Sequence, residues 1–182
     1  MNHWLIAPVV LPAFVGSLIV LGMRHDLVLQ RVASIAATAL QLAIAVCLMV
    51  QAMDGTVQVY RLGNWAAPFG IVLMLDRLAA LMLVLTAGLA LVVQLYALGS
   101  GWDRKGWHFH ALWQFQLMGL SGAFLTGDAF NLFVFFEILL IASYGLMIHG
   151  GAICGCAPGC SMSSTTLPDR RCSWRRWEPS MP

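Results

Sequence analysis

The stretch GDAFNLFVFFEILLIASYG, residues 127–145, places one glutamate, Glu137, in the middle of an apolar run. A run of about 20 apolar residues is long enough to cross the hydrocarbon core of a bilayer as an α-helix. At about 1.5 Å per residue, Glu137 lies roughly 13 Å beyond Asp128, near the middle of that core. The stretch therefore predicts a transmembrane helix with a carboxyl group at mid-membrane.

The composition of the whole chain is typical of a membrane protein. Of its 182 residues, 60% are hydrophobic and 10% are charged, whereas soluble domains average about half apolar and a quarter charged. The net charge is +2, and no basic cluster precedes residue 152. We therefore expect a single membrane domain and no nucleic-acid partner.

The apolar segments predict an all-α integral membrane protein with five transmembrane helices, at residues 3–23, 29–53, 71–98, 110–125 and 130–148. The first segment lacks a basic leader and a cleavage site, so we do not interpret it as a signal peptide. The fourth segment is short and contains Gln114, Gln116 and Ser121, so we expect it to face other helices rather than lipid. Residues 56–62, TVQVYRL, alternate in polarity before Gly63, which predicts a small β-hairpin.

The basic residues of the loops predict the orientation in the membrane. The first and third connections each hold two Lys or Arg residues, the second connection holds only Arg61, and the fourth holds none. Because cytoplasmic loops are enriched in Lys and Arg, we expect the amino terminus to lie outside the cell.

Glu137 is the strongest candidate for a functional residue. An acidic group at the centre of a transmembrane helix costs about 3 kcal/mol and usually marks a functional site. A carboxyl group that can bind and release a proton is suited to proton transfer. The alternative is a structural carboxyl that is hydrogen-bonded to a neighbouring helix.

Four further residues are weaker candidates for a proton path or for pairing within the membrane. Tyr144 follows Glu137 by two helical turns on the same face, and Asp76 lies about one and a half turns into the third predicted helix. His110 and His149 lie near the predicted cytoplasmic ends of their helices, where histidine can exchange protons near neutral pH. Helix packing for Tyr144 and an interfacial position for the other three residues are the alternatives.

Two segments resemble a known family. Residues 111–151, ALWQFQLMGLSGAFLTGDAFNLFVFFEILLIASYGLMIHGG, and residues 61–86, RLGNWAAPFGIVLMLDRLAALMLVLT, resemble the D subunit of multisubunit (Mrp/Pha-type) monovalent cation/proton antiporters. The D subunit is related to the antiporter-like proton-pumping subunits of respiratory complex I. The resemblance extends over residues 1–151, and it implies that they form the amino-terminal part of a protein with roughly fourteen helices.

The resemblance implies a function for Glu137, which falls on the family's proton-carrying glutamate of helix five. It also implies a component of a secondary transporter rather than an enzyme, without a cofactor, in the bacterial cytoplasmic (inner) membrane. Its partners would be the other subunits of a hetero-oligomeric complex, the lipid bilayer, protons and Na⁺ or K⁺. The alternatives are a proton-translocating subunit of NADH–quinone oxidoreductase and a non-transporting scaffold or inactive truncated product.

Residues 152–182 differ in composition from the rest of the chain. They contain four of the five cysteines and four of the seven prolines. The spacings of Cys154, Cys156, Cys160 and Cys172, with no histidine nearby, do not match a zinc site, so we expect no metal.

A frameshift near codon 151 or 152 explains this composition, and it predicts an unstructured tail. Cys and Trp codons begin with TG, so a one-base shift converts each of them to a codon for Leu, Met or Val. The alternative is a basic, disordered end that contacts anionic lipid headgroups.

Overall fold

The computed structural model describes residues 3–22, 26–55, 57–62, 70–105 and 108–148. The predicted tail lies outside the described residues, and the description concerns the unit formed by Met1–Ala152. Five α-helices and a two-stranded sheet make up this unit: α1 Ala7–Gly22, α2 Leu27–Ala52, β1 Gln58–Arg61, β2 Val72–Leu75, α3 Arg77–Gly99, α4 Phe109–Leu125 and α5 Ala129–Ile148. The predicted all-α membrane architecture with five helices is confirmed.

Four of the helical segments are long and apolar enough to cross a membrane. They are Trp4–Gly22, which joins a short 3₁₀ turn to α1, and the full lengths of α2, α3 and α5. Helix α4 has 17 residues, which corresponds to about 25 Å. It is therefore slightly shorter than a typical single span, and it packs among the other helices.

The third helix begins later than the sequence predicts. The prediction placed its start at residue 71, but Val72–Leu75 is a strand that pairs antiparallel with Gln58–Arg61. Asp76 then caps the helix, since its carboxylate accepts a hydrogen bond of 2.7 Å from the backbone N–H of Arg77. The predicted hairpin is thus present, and its second strand uses apolar residues that periodicity alone assigns to the helix.

The helices pack in the spatial order α3, α2, α1, α4 and α5, and α4 also contacts α2 and α3. The interior near the sheet is apolar. Its buried residues come from the amino-terminal segment, the second half of α2, the first half of α3, strand β2 and the end of α4: Leu5, Val9, Ile44, Ala45, Leu48, Ala52, Leu73, Leu75, Ala80, Leu83, Ala87 and Leu125. At the opposite end of the same helices, the buried side chains are largely polar.

Glycines bring α4 and α5 into close contact. A Cβ atom added at Gly119 would lie 3.1 Å from the backbone nitrogen of Leu139, and one added at Gly122 would lie 2.7 Å from Cγ of Phe135. Small residues at helix interfaces let backbones approach closely in membranes. This contact fixes which face of α5 points away from the rest of the described helices.

Candidate functional site

Glu137 lies on the face of α5 that α4 leaves uncovered. Phe135 and Leu139, two residues to either side, contact the glycines of α4, and a shift of two helical residues rotates a side chain by about 200°. Glu137 is accordingly exposed. Its carboxyl group forms no hydrogen bond or ion pair with any other described residue. The burial expected of this carboxyl group is therefore not provided by the described helices.

The other predicted site residues do not gather around Glu137. Tyr144 is exposed on α5, on the same side as Glu137 because seven residues make almost two complete turns. Asp76 is the exposed cap of α3 and forms no ion pair within the described part of the chain. His149 lies outside the described residues.

A second polar feature lies between α2, α3 and α4. We call it the polar strip, and its seven residues are each at most 2% exposed: Gln30, Ser34, Thr38, Gln41, Gln94, Gln114 and Ser121. The side-chain nitrogens of Gln94 and Gln114 donate to the Ser34 hydroxyl at 2.7 and 3.0 Å. The Thr38 hydroxyl is 2.7 Å from the Gln94 oxygen, to which it can donate. Three helices are thus joined through one serine.

The strip continues toward the apolar core through a second contact. The side-chain nitrogen of Gln41 on α2 donates to the Ser121 hydroxyl on α4 at 2.7 Å. From Gln30 to Gln41 the strip follows α2 for 11 residues, which corresponds to about 16 Å. It therefore extends over about half of a hydrocarbon core that is about 30 Å thick.

A buried ionic cluster lies at the other end of the strip. Asp103, in the 3₁₀ turn Trp102–Lys105, is fully buried and accepts a hydrogen bond of 2.5 Å from Nε of Arg31. Nε2 of His110 lies 3.5 Å from the same carboxylate oxygen. Burial raises the pKa of Asp103, but the hydrogen bond and charge of Arg31, together with His110, outweigh burial and leave this pKa below its ordinary value.

The polar strip was only partly predictable. The expectation that Gln114 and Ser121 face other helices is confirmed, since both are buried against them. The residues at positions 30, 34, 38 and 41 follow a spacing of three or four, which places them on one face of α2. That spacing is the signal from which the strip could have been inferred. Among the described residues, no group of three His, Cys, Asp or Glu side chains is placed to hold a metal ion.

Comparison with known proteins places the chain in a family. It is 50% identical over 155 residues to the D subunit of a probable K⁺/H⁺ antiporter of Rhizobium meliloti, a match that covers 82% of this chain and 29% of the relative. It is 43% identical over 152 residues to the D subunit of the Na⁺/H⁺ antiporter of Alkalihalophilus pseudofirmus, covering 83% of this chain and 31% of that protein. This chain is a homologue of the antiporter D subunits.

Solved structures agree with this relationship. One chain of the Mrp complex from Dietzia superposes on this D-subunit homologue with a TM-score of 0.72 and 35% identity, covering 81% of this chain and 28% of that one. A chain of the membrane-bound sulfane sulfur reductase, an archaeal respiratory membrane complex, gives 0.68 and 27% identity, with coverage of 78% and 29%. No protein-family model matches. The homologue spans less than a third of the length of these relatives.

Proposed function

We propose that this chain contributes to an antiporter D subunit that exchanges Na⁺ or K⁺ for protons, and that Glu137 binds and releases the transported protons. The position of Glu137 supports this proposal most strongly. It is the ninth of the 20 residues of an apolar helix that is long enough to span the membrane. A charged group there costs about 3 kcal/mol against lipid, so an exposed position on α5 needs a protein partner.

The additional length of the relatives would supply that partner. They are more than three times as long as the region they share with this chain. We propose that their additional helices pack against the uncovered face of α5. Glu137 would then lie between helices, where a carboxyl group can accept a proton from one side and donate it to the other. Tyr144, two turns along the same face, would extend this path.

The cellular setting is part of the proposal. The protein would lie in the bacterial inner membrane with its amino terminus outside, as the basic residues of the first and third loops indicate. It would act as a transporter rather than as an enzyme, together with the other subunits of a hetero-oligomeric complex, in contact with lipid, protons and monovalent cations. The names of the relatives, which are subunits of cation/proton antiporters, support this setting.

The similarity to an archaeal respiratory membrane complex favours a second candidate, a proton-translocating subunit of a respiratory enzyme. In this second candidate, proton movement would be driven by electron transfer rather than by a cation gradient. Glu137 would have the same chemical task in both cases. The two candidates differ in what must be supplied to move protons, which an experiment can control.

A chimera tests the proposal. Residues 1–151 of this chain would replace the matching segment of the Rhizobium meliloti D subunit, and the complete set of subunits would be expressed in a host without its own major antiporters. In everted vesicles, added NaCl or KCl should dissipate a pH gradient through the chimera. An assembled chimera that ignores both cations would contradict antiport. Proton pumping that depends on both NADH and the chimera would favour the respiratory candidate.

A further inference from the structure

The hydrogen bonds of the polar strip leave two buried side-chain amides incompletely paired. The nitrogens of Gln41 and Gln114 donate to serine hydroxyls. Their oxygens are buried and accept no hydrogen bond from any described residue. Gln94 differs, because its nitrogen and its oxygen are both paired within the strip. Buried polar groups in native proteins are nearly always paired, so these two oxygens require an explanation.

Rotating the amide groups does not remove the deficit. An amide has an acceptor oxygen at one end and a donor NH₂ at the other. If either amide were turned, its oxygen would face a backbone carbonyl that cannot donate, that of Pro8 for Gln41 and that of Ser34 for Gln114. Rotation would therefore replace a hydrogen bond by two opposed acceptors in each case.

No large partner can reach these amides. Gln114 is fully buried and Gln41 is 2% exposed. A helix or subunit packed on the outside of the described residues would therefore not contact the unpaired ends. The missing partner must be small enough to lie among α1, α2 and α4, whose side chains and backbone enclose the two glutamines.

The chemistry of the strip favours water over a cation. The Ser34 hydroxyl already receives two N–H donors, which occupy the lone pairs that a cation would need. The carboxylate of Asp103, at the end of the strip, is neutralised by Arg31. Water can donate to an amide oxygen and accept from an amide nitrogen, and buried water typically makes about three such hydrogen bonds.

The ionic cluster at the end of the strip also contains a buried oxygen without a described partner. The second carboxylate oxygen of Asp103, Oδ1, is buried and accepts no hydrogen bond from any described residue. His110 and Gln114 are separated by one helical turn on α4, so the cluster and the strip are adjacent. At the opposite end, Ala45 and Leu48 follow Gln41 on α2 and are part of the apolar core.

We propose that the polar strip is a binding site for water, with separate water molecules at Asp103, Gln114 and Gln41. This bound water would extend from the ionic cluster to about mid-membrane and end at the apolar core. It would lie on the side of α4 that faces α2, whereas α5 and Glu137 lie on the other side of α4. The strip would therefore be a hydrated interior that is separate from the Glu137 site, and its existence does not depend on the proposed antiport.

Solid-state NMR of the full 182-residue chain in lipid bilayers tests this proposal without any substitution. Magnetisation would be transferred from water to the protein, and its build-up would be compared at the side-chain amides of Gln41 and Gln114 and at the methyl groups of Leu83 and Ala87. The two reference residues are each 2% exposed, so they match the glutamines in burial.

We expect the signals of both glutamine amides to build up several-fold faster than those of Leu83 and Ala87. Equal build-up at all four sites would overturn the proposal, because it would mean that the amides are dry. A fast signal at Gln114 with a slow signal at Gln41 would also overturn it as stated, since the bound water would then stop short of mid-membrane.

Discussion

Replacing Gly122 by alanine should weaken the contact between α4 and α5. The new Cβ atom would lie 2.7 Å from Cγ of Phe135 and closer still to two other ring atoms, below the 3.0 Å that real Cβ atoms respect. The aromatic ring, or α5 itself, must then move. Overpacking of this kind lowers the unfolding free energy by about 1–3 kcal/mol. The higher helix propensity of alanine raises it by up to about 1 kcal/mol.

Gly88 provides the matched control. It lies within α3, and a Cβ atom added there would meet nothing within 4 Å. Gly88→Ala therefore gains the same propensity without the overlap, so the two variants should differ by about 1–3 kcal/mol in unfolding free energy. Reversible unfolding in mixed dodecylmaltoside and SDS micelles, followed by circular dichroism, measures this difference. Equal stabilities would refute the packing of α4 against α5, and with it the outward position of Glu137.

Three further predictions concern the interior and the tail. Gln114→Leu should lower the unfolding free energy by about 0.6–1.7 kcal/mol, the range for buried hydrogen bonds in membrane proteins, and the same micelle assay would detect it. Because the pKa of Asp103 is lowered in the folded state, Asp103 should stabilise the fold fully at pH values above its ordinary pKa of about 4. This contribution to the unfolding free energy should disappear as the pH falls further. Asp103→Asn should lower the unfolding free energy by about 2 kcal/mol at pH 7, which is less than the loss of a fully buried ion pair because Arg31 reaches solvent. The variant should also lose this dependence of stability on acidic pH. An unchanged pH profile would contradict the assignment of the dependence to Asp103. Sequencing the DNA from the codon for Gly150 onward should reveal a shifted frame that encodes apolar helices, and its absence would contradict the frameshift.

The sequence predicted the helices well because hydrophobic length is a strong signal. The predicted limits of α2, α4 and α5 agree with the structure within two residues. The predicted start of α3 was wrong by six residues. The sequence VLML can continue a helix or form a strand, and only its pairing with Gln58–Arg61 decides between the two. Short apolar runs are ambiguous for this reason.

The candidate site was less predictable than the fold. The position of Glu137 along α5 follows from counting residues, but the face it occupies depends on where Gly119 and Gly122 let α4 approach. The polar strip depends on three helices placing their glutamines at one level. The spacing on α2 indicates one polar face, whereas the pairing of Ser34 with Gln94 and Gln114 requires the tertiary structure.

The most direct test of the proton-carrying role of Glu137 is cation-dependent proton exchange by the D-subunit chimera with Glu137→Gln, measured in everted vesicles at matched levels of assembled complex. Glutamine keeps the size and hydrogen-bonding ability of the side chain but cannot bind and release a proton at this position. If Glu137 carries the protons, exchange driven by NaCl or KCl should be lost, while Glu137→Asp should retain part of it. Normal exchange by an assembled Glu137→Gln chimera would contradict this role and leave Glu137 as a structural residue.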